Sequence, residues 1–298
     1  MTGENLLEIP IYYIDAFTKK QFKGNPAAVC LISMVEDSKI SDEKRQAIAN
    51  EINFAETAFV TPIDIPDWRK ATRFKLQWFT PEIEVKLCGH ATLAAGFVLS
   101  AILGNPSNVL SFETKSGELK TTYENDQIQM IFPISTNILI DLKEKLEIID
   151  NLTSEEIISA EYNSSLQYLL IEVKSKELLT QFSPNPSKLL SNSFKYPLSG
   201  LILTCKGEPS SNFDFYYRFF APWMGILEDP VTGSAATVVG PFWSKKLKKK
   251  SVTTKQLSKR TGTMILEIID EYQIKIIGEA INVLQGTFNI KGDKHANL

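Results

Sequence analysis

Two short stretches, Leu87-Cys88-Gly89-His90-Ala91-Thr92 and Val231-Thr232-Gly233-Ser234-Ala235-Ala236, carry the same pattern at distant points of the chain. Each follows a strand-like run and a proline-bearing loop, and each opens an apolar segment that predicts a buried helix. A helix N-terminus carries unpaired N–H groups and the positive end of the helix dipole, so it suits an anion such as a carboxylate. The two stretches therefore predict two half-domains that meet over one small acidic ligand.

The residues before these stretches also correspond. Phe79-Thr80-Pro81 ends eight positions before Gly89, and Phe220-Ala221-Pro222 ends eleven positions before Gly233. A weak repeat at this long period favours a duplicated domain over a solenoid. Proline inside a helix removes a backbone donor and crowds the preceding turn, so we expect the second helix to kink or break at Gly240-Pro241.

Alternating and β-branched runs predict a long series of short strands with few helices. The predicted strands are residues 9–17, 27–32, 53–60, 73–79, 109–113, 119–124, 127–132, 168–173, 201–205, 213–220, 263–269, 273–277 and 281–290. The predicted helices are residues 42–52, 91–103 and 141–151, and the segment that starts at Gly233. Short strands in series, without repeating β-α-β units, predict mostly antiparallel sheet in an α+β fold.

The composition is that of an ordinary globular protein. Of the 298 residues, 43% are hydrophobic and 22% are charged, and the net charge of −3 gives no drive toward nucleic acid or an anionic membrane. The three cysteines, Cys30, Cys88 and Cys205, are far apart and odd in number, which argues against a disulfide framework or a zinc site. The sequence shows no signal peptide and no membrane-spanning run, so we expect a cytoplasmic protein.

Common cofactor motifs are missing from the sequence. It has no GxGxxG after a strand, no GxxxxGKS/T, no metal-spaced His/Cys pair and no GxSxG elbow. Their absence argues against an enzyme that depends on NAD, ATP or zinc. We therefore expect chemistry without a cofactor or a metal ion.

Two titratable side chains stand out as candidates for chemistry. His90 lies just past Gly89 at a predicted helix start, whereas His295, the other histidine, lies in a polar tail where we expect it to be inert. Glu56 lies among apolar and small residues, so it points either to solvent on an edge strand or into a cavity. In an apolar cavity the pKa of a carboxylate rises toward neutrality, as a proton shuttle requires.

Cys88 and Asp229 each have two interpretations. Cys88 is either inert packing or, at a helix N-terminus that stabilises the thiolate, an acid/base. Asp229, which lies shortly before Gly233, either caps the second helix or faces the ligand. The residues alone leave both choices open.

Six motifs follow one another in order along the chain. They are Asp15-Ala16-Phe17-Thr18, Phe22-Lys23-Gly24-Asn25-Pro26-Ala27-Ala28-Val29, Asn53-Phe54-Ala55-Glu56-Thr57, Phe79-Thr80-Pro81, Cys88-Gly89-His90-Ala91-Thr92 and Glu228-Asp229-Pro230-Val231-Thr232-Gly233-Ser234-Ala235. Any one of them is weak, but the set is highly specific. In these motifs the chain resembles the PhzF-like phenazine-biosynthesis proteins, relatives of diaminopimelate epimerase and proline racemase.

The resemblance implies a diaminopimelate epimerase-like α+β fold. Such a fold has two similar domains, each a curved, mostly antiparallel sheet around a central helix, with the active site in the cleft between them. It implies an N-terminal domain of residues 1–126, joined by a last strand of residues 284–298, and a C-terminal domain of residues 127–283. It also implies a homodimer whose substrate is a small carboxylate.

The resemblance further implies proton transfer at carbon. Glu56 matches the family's catalytic glutamate, and His90, Asp229 and Ser234 match positions that hold or assist the substrate. Contacts with the substrate are implied for Asn25, Cys88, Gly89, Thr232, Gly233 and Ser234. An enolate-like intermediate needs a carboxylate base and preorganised donors for the developing charge, which agrees with this set.

Two alternatives to this isomerase remain. The racemase branch uses two opposed cysteines, one at each helix start, but this chain has Cys88 at the first and Thr232 at the second. A hydroxyl of ordinary pKa cannot replace a thiolate as base, so one-base isomerisation through Glu56 fits better than an epimerase that uses Cys88. A non-catalytic binding or interaction protein on the same fold is the other alternative. The motifs do not identify the substrate, since pocket residues outside them decide selectivity.

Overall fold

The computed structural model describes residues 6–141, 152–191 and 194–291. The chain forms two compact units, one of Met1–Ile131 with Ile277–Leu298 and the other of Phe132–Ile276. The resemblance implies domain boundaries at 126/127 and 283/284, and the units divide at 131/132 and 276/277. His295, and the predicted helix at 141–151 apart from Asp141, lie outside the described residues.

The described residues contain strands and helices in the following order. The strands are β1 (Leu6–Ala16), β2 (Asn25–Leu31), β3 (Glu56–Pro62), β4 (Arg73–Phe79), β5 (Glu84–Val85), β6 (Val109–Thr114), β7 (Gly117–Glu124), β8 (Gln127–Pro133), β9 (Asn137–Leu139), β10 (Ile157–Asn163), β11 (Tyr168–Val173), β12 (Gly200–Lys206), β13 (Phe215–Phe220), β14 (Ser251–Gln256), β15 (Gly262–Ile268), β16 (Gln273–Gly278) and β17 (Ala280–Lys291). The α-helices are α1 (Met34–Asp37), α2 (Asp42–Ile52), α3 (Gly89–Phe97), α4 (Lys176–Gln181), α5 (Pro186–Ser191) and α6 (Gly233–Leu247). Among these helices, none combines the length and the apolar character needed to cross a membrane.

In the first unit, antiparallel and parallel strand pairs alternate. β1 pairs with β2 antiparallel, β2 with β3 parallel, β3 with β4 antiparallel, β4 with β6 parallel, and β6 with β7 antiparallel. Parallel neighbours need a crossover connection, and here α2 and α3 lie in the two crossovers. The last strand, β17, pairs antiparallel with β1 along its whole length and so belongs to this unit.

The second unit repeats the same order of pairings. β10 pairs with β11 antiparallel, β11 with β12 parallel, β12 with β13 antiparallel, β13 with β14 parallel, and β14 with β15 antiparallel. α4 and α5 lie in the first crossover and α6 lies in the second, which is the position that α3 has in the first unit. This correspondence supports the duplication that the sequence predicts.

α3 is buried on every side, as its apolar sequence predicts. Its residues from His90 to Gly96 are all buried, and the helix contacts β1, β2, β3, β7 and β17. The approach of β7 is close, because a Cβ placed on Gly96 would lie 2.9 Å from Thr121 Oγ1. After Phe97 the helix continues as one π-helical turn, Val98–Ile102, so the predicted segment is helical but its last turn is not α-helical.

The sequence predicts a kink or a break at Gly240-Pro241, and α6 runs through Pro241 as one helix, so the break does not occur. Residues on both sides of the proline are buried. Trp243 donates a 2.7 Å hydrogen bond from Nε1 to Thr204 Oγ1, and its ring stacks on Phe215 at 5.7 Å. We attribute the continuity to this packing, which outweighs the cost of a proline in a helix, about 3 kcal/mol.

β3 begins later than the sequence predicts. Asn53 ends α2 in the left-handed conformation, with φ 54° and a 3.0 Å hydrogen bond from its N–H to Ala49 O. Asparagine adopts this conformation readily and is a common residue after a helix. The cap turns the chain so that Glu56 becomes the first residue of β3, opposite Ala27 of β2.

Several short elements are not predicted from the sequence. Each spans seven residues or fewer, as several of the predicted strands also do. They are β5, β9, β10, β14, α1, α4 and α5. Two of them, β10 and β14, take part in the repeated pairing order.

Gly24 forms the turn before β2 and provides a test of that turn. Its φ is +68°, and a Cβ at this position would lie 2.1 Å from the Ala16 carbonyl oxygen. We predict that Gly24→Ala lowers the free energy of unfolding by about 2 to 5 kcal/mol, because left-handed strain adds to a backbone clash. Urea denaturation followed by circular dichroism measures the change.

Gly104 supplies a matched control. Its φ is +70°, but nothing lies within 4 Å of a Cβ built there. Gly104→Ala should therefore carry only the left-handed strain, about 1 to 2 kcal/mol. Equal losses of unfolding free energy in the two variants would show that the clash with the Ala16 carbonyl does not contribute to the loss.

Candidate active site

Asn25 and Glu56 lie at the same end of two neighbouring strands. Asn25 opens β2 and Glu56 opens β3, and the two strands run parallel. Asn25 is fully buried, and only 15% of the Glu56 side chain is exposed. β3 has β2 on one side and β4 on the other, so the interpretation of Glu56 as a solvent-facing residue of an edge strand is wrong.

The start of α3 supplies two more polar side chains. Cys88 is the N-cap, in an extended conformation, and Gly89 is the first helical residue. The first backbone hydrogen bond of the helix runs from Thr92 N to Cys88 O at 3.2 Å. The amides of Gly89, His90 and Ala91 therefore have no partner within the helix, which is the usual condition of a helix N-terminus.

Asn25, Glu56, Cys88 and His90 form one buried group, which we call the Glu56 cluster. His90 is central, because its Nε2 lies 3.1 Å from Glu56 Oε2 while its Nδ1 lies 3.4 Å from Cys88 Sγ and 3.3 Å from Asn25 Nδ2. The His90 side chain is 8% exposed. The fold thus joins residues that are up to 65 positions apart in the sequence.

The atoms of this cluster that are buried without a well-aligned hydrogen bond include two that face each other. They are Glu56 Oε2 and His90 Nε2, and no group in the described ranges of the chain satisfies either of them. Their separation of 3.1 Å is that of an ion pair, but the angle is not that of a hydrogen bond. Leaving a buried polar atom unsatisfied costs about 1 to 3 kcal/mol, so this arrangement indicates a place for a ligand.

The pKa values of the His90 imidazole and the Cys88 thiol are both raised, but for different reasons. Burial lowers the pKa of His90, but the neighbouring Cys88 and Glu56 raise it, so that it lies well above the ordinary value of 6.5. Burial, followed by the negative charge of Glu56, raises the pKa of the Cys88 thiol above its ordinary value. We assign the effect on His90 to Glu56, because a thiol with a raised pKa is neutral at neutral pH. The raised pKa of His90 beside Glu56 favours the charged form of the imidazole.

The same cluster contains three groups that bind metal ions in proteins. A carboxylate oxygen of Glu56, the Cys88 sulfur and one ring nitrogen of His90 all lie within 4.8 Å of one another. The sequence argues against a metal site because it lacks a metal-spaced His/Cys pair. Here the ligands come from two separate segments, so that spacing rule does not apply to them.

In the second unit, the predicted residues gather at the start of α6. Thr232 is the N-cap and Gly233 is the first helical residue. The Thr232 hydroxyl donates a short hydrogen bond to Asp229 Oδ2. Ser234 Oγ lies 3.0 Å from Tyr168 OH, and burial is the main cause that raises the pKa of Tyr168.

The two helix starts have the same backbone construction. Cys88 and Thr232 are both extended N-caps, with φ and ψ of −143° and 110° for the first and −113° and 107° for the second. Neither side chain forms a standard capping hydrogen bond to its own helix, although the Ala91 amide acts on the Cys88 thiol in the direction that lowers its pKa. The chemistry differs, because one cap is a thiol beside an imidazole and the other is a hydroxyl that bonds to a carboxylate.

Gln256 and Tyr217 hold the second motif in place, although neither belongs to a motif of the sequence. Gln256 Oε1 accepts from Thr232 N at 2.7 Å, and Gln256 Nε2 donates to Asp229 O at 2.6 Å. Tyr217 OH donates to Thr232 O at 3.2 Å, and burial, followed by the charge of Asp229, raises its pKa well above the ordinary value. Both residues lie on neighbouring strands, where no local motif marks them.

Arg218 braces the segment that leads to Asp229. Its Nε and Nη2 donate to the two carboxylate oxygens of Glu228 at 2.7 and 3.0 Å. Its Nη1 donates to the carbonyls of Leu179 and Phe182 at 3.0 and 2.6 Å. A planar guanidinium suits this bidentate contact. Glu228, the residue before Asp229, is therefore held by two donors of Arg218.

The family follows from a match over almost the whole chain. The PhzC-PhzF family, described as Phenazine biosynthesis-like protein, matches residues 14–286. The chain belongs to this family. The resemblance stated from the six motifs is therefore confirmed.

Similar proteins of this PhzF family span the same length. Phenazine biosynthesis-like domain-containing protein 2 of Mus musculus is 39% identical over 289 residues, which cover 94% of this chain and 99% of the relative. A Pseudomonas aeruginosa protein named "Uncharacterized isomerase" is 36% identical over 284 residues, which cover 95% of this chain and all of the relative. The family thus includes proteins named as isomerases.

The fold is shared with solved structures. The crystal structure of a PhzC/PhzF phenazine-biosynthesis protein from Clostridium difficile matches with a TM-score of 0.81 at 35% identity, over 95% of this chain and 100% of that one. The likeness extends to an epimerase-type fold. The predicted α+β, diaminopimelate epimerase-like fold class is confirmed.

Gln256→Leu tests the bracing of the second motif. The substitution leaves Thr232 N and Asp229 O without their buried partners, so we predict a loss of about 2 to 5 kcal/mol in the free energy of unfolding. Urea denaturation measures the loss. Amide exchange by NMR should show faster exchange at Thr232.

Gln77→Leu is the control, since Gln77 is also buried but bonds to the side chains of Asp42 and Glu84 at 3.2 and 3.3 Å. Asp42 is 56% exposed and keeps water as a partner, so this variant should lose about 1 kcal/mol and leave Thr232 exchange unchanged. Unchanged exchange at Thr232 in Gln256→Leu would contradict the assigned role.

Proposed function

We propose that this PhzF-family protein is an isomerase that moves a proton between carbon atoms of a small carboxylate-bearing metabolite. Glu56 takes the proton from one carbon and returns it to another, with no cofactor. The name of the Pseudomonas aeruginosa relative supports the reaction class. The geometry of the Glu56 cluster supports the mechanism.

The state of Glu56 Oε2 carries the proposal. This atom is buried, lies 3.1 Å from His90 Nε2 and has no aligned hydrogen bond within the described residues. A general base needs an available lone pair within hydrogen-bond reach of the proton that it removes. A purely structural buried carboxylate would instead have its oxygens satisfied by donors.

His90 orients the base and supplies charge. As a cation beside Glu56, it keeps the carboxylate in place before the proton is taken. After Glu56 has accepted the proton, the imidazolium remains as a charged donor for the negative charge that develops on the substrate. A preorganised donor in a buried site stabilises such charge more strongly than water does.

The start of α3 binds the carboxylate of the substrate. Gly89 and His90 lie in the first helical turn, where the amides have no partner within the helix. The helix dipole adds the equivalent of about half a positive charge at this end. Anchoring the carboxylate there places the adjacent carbon close to Glu56.

Cys88 contacts the substrate and is not the base. Burial and the nearby Glu56 raise the pKa of its thiol, so the reactive thiolate is scarce at neutral pH. The corresponding N-cap in the second unit is Thr232, whose hydroxyl donates to Asp229. A two-thiol mechanism therefore has no second thiol at the position where it needs one.

We also propose roles for the other predicted site residues, and that the protein is a homodimer. Asp229 assists the reaction, and the substrate is also contacted by Asn25, Thr232, Gly233 and Ser234. The protein acts as a cytoplasmic homodimer, without nucleic acid or membrane partners. The resemblance in the six motifs and the absence of net positive charge support these assignments.

Solvent deuterium exchange tests the mechanism. Small acids that bind in calorimetry are incubated with the enzyme in D2O, and deuterium uptake at carbon is followed by NMR. Glu56→Gln should lower the exchange rate by at least about 100-fold, because it removes the general base. Glu51→Gln, an exposed position on α2, is the matched control and should retain the rate.

Cys88→Ser completes the design. This variant should keep most of the exchange, since the thiol is a contact only. Loss of exchange in Cys88→Ser with retention in Glu56→Gln would overturn the assignment in favour of the Cys88 epimerase. Acids that bind without any exchange would favour the non-catalytic binding protein.

A further inference from the structure

The three residues of the Glu56 cluster that serve the proposed chemistry also form a set of metal ligands. The set comprises a carboxylate, a thiol and an imidazole, and one ligand atom from each residue lies within 4.8 Å of the other two. Two of the contributing atoms, Glu56 Oε2 and His90 Nε2, are buried and lack an aligned hydrogen bond in the described ranges. A metal ion satisfies such atoms directly.

We propose that Glu56, Cys88 and His90 bind a single zinc-type divalent cation, and that this ion reversibly blocks the site. The binding part stands on the geometry alone. The blocking part rests on the proposed function, because it needs Glu56 to be the working base.

The spacing of the ligand atoms suits a tetrahedral ion. Zinc bonds of about 2.0 to 2.3 Å place tetrahedral ligands about 3.3 to 3.6 Å apart. In the structure, His90 Nε2 lies 3.1 Å from Glu56 Oε2, and His90 Nδ1 lies 3.4 Å from Cys88 Sγ. These two contacts involve opposite nitrogens of the ring, so the side chains must rotate to present one ring nitrogen, the sulfur and the carboxylate to the same ion. One ligand atom from each residue already lies within 4.8 Å of the other two. Three protein ligands leave a fourth position for water or for a substrate carboxylate.

Charge and ligand type select the ion. A carboxylate, a thiolate and a neutral imidazole together carry two negative charges, which a divalent cation neutralises in a largely buried site. Cys88 and His90 return their protons to solvent when the metal binds. A thiolate and an imidazole suit Zn²⁺ or Co²⁺, whereas Mg²⁺ prefers oxygen ligands and keeps its water.

Asn25 acts as the outer partner of the metal-bound ring. Its side-chain amide lies 3.3 Å from His90 Nδ1. When the other ring nitrogen binds the ion, Nδ1 carries a proton and needs an acceptor, which the amide oxygen of Asn25 provides when the amide is flipped. Partners of this kind orient the imidazole of metal sites, and their loss costs about 10 to 100-fold in affinity.

The bound ion stops proton transfer at Glu56. The lone pair of Oε2 that would accept the substrate proton is then donated to the metal, and His90 is no longer a charged donor. Removing the ion with a chelator restores both groups. Cellular zinc or an added divalent cation would in this way regulate the enzyme without changing its fold.

Metal binding is tested on the full chain after dialysis against a chelator. Calorimetry with ZnCl2 should give one ion per chain, and CoCl2 should give a thiolate-to-cobalt charge-transfer absorption. Cys88→Ala should abolish that absorption and weaken the affinity for Zn²⁺ by more than about 100-fold. Loss of an outer partner costs at most about 100-fold, and loss of a direct ligand should cost more. MgCl2 should not bind at the cluster.

Matched variants separate this site from other cysteines and histidines. Cys205→Ala removes a buried free cysteine of the second unit, and His295→Ala removes the other histidine of the sequence. Both should keep the Zn²⁺ affinity and the cobalt absorption, whereas His90→Ala should lose them. Absence of saturable Zn²⁺ binding, or binding that survives Cys88→Ala and His90→Ala, overturns the metal site.

The blocking step has its own readout. In the deuterium exchange assay, Zn²⁺ should inhibit at the concentrations at which it binds, and EDTA should restore the rate. Exchange that persists with saturating Zn²⁺ bound overturns the blocking step while leaving the proposed function intact. If no acid exchanges at all, the proposed function fails, and calorimetry still decides the metal site.

Discussion

The 3.1 Å contact between His90 Nε2 and Glu56 Oε2 sets the chemistry of the whole cluster. A buried carboxylate and a buried imidazolium are each costly alone, and side by side each offsets the charge of the other. Cys88 and Asn25 approach the opposite nitrogen of the ring, so the imidazole has neighbours on both sides. Because the contact is not an aligned hydrogen bond, both atoms can still bind a ligand.

The strand order explains why the helix starts carry the candidate residues. A parallel pair cannot be joined by a tight hairpin, so β4 and β6 require a crossover, and β13 and β14 require the equivalent one. α3 and α6 fill these crossovers, and each begins with a glycine after an extended N-cap. Because both units have this extended N-cap and glycine in the same crossover, the two helix N-termini occupy corresponding positions in their units.

The two helix starts differ in how their polar groups are satisfied. Around Thr232, the backbone amide bonds to Gln256, the carbonyl accepts from Tyr217 and the hydroxyl donates to Asp229. Around His90, a carboxylate oxygen and a ring nitrogen are left without aligned partners. The helix start of the second unit is thus well braced, whereas that of the first unit leaves a carboxylate oxygen and a ring nitrogen for the proposed proton transfer or metal binding.

The sequence was enough to predict most strands and both buried helices, because apolar runs and a glycine at a helix start are properties of neighbouring residues. The order of the six motifs was enough to predict the family and to name the candidate residues. It was not enough for the end of α2, where the Asn53 cap makes Glu56 the first residue of β3, or for α6, where core packing carries the helix through Pro241. Gln256 and the contacts within the Glu56 cluster were also out of reach. Apart from the contact between Cys88 and His90, their partners are 24 to 65 positions away, and spacing along a chain says nothing about which side chains meet once strands have paired.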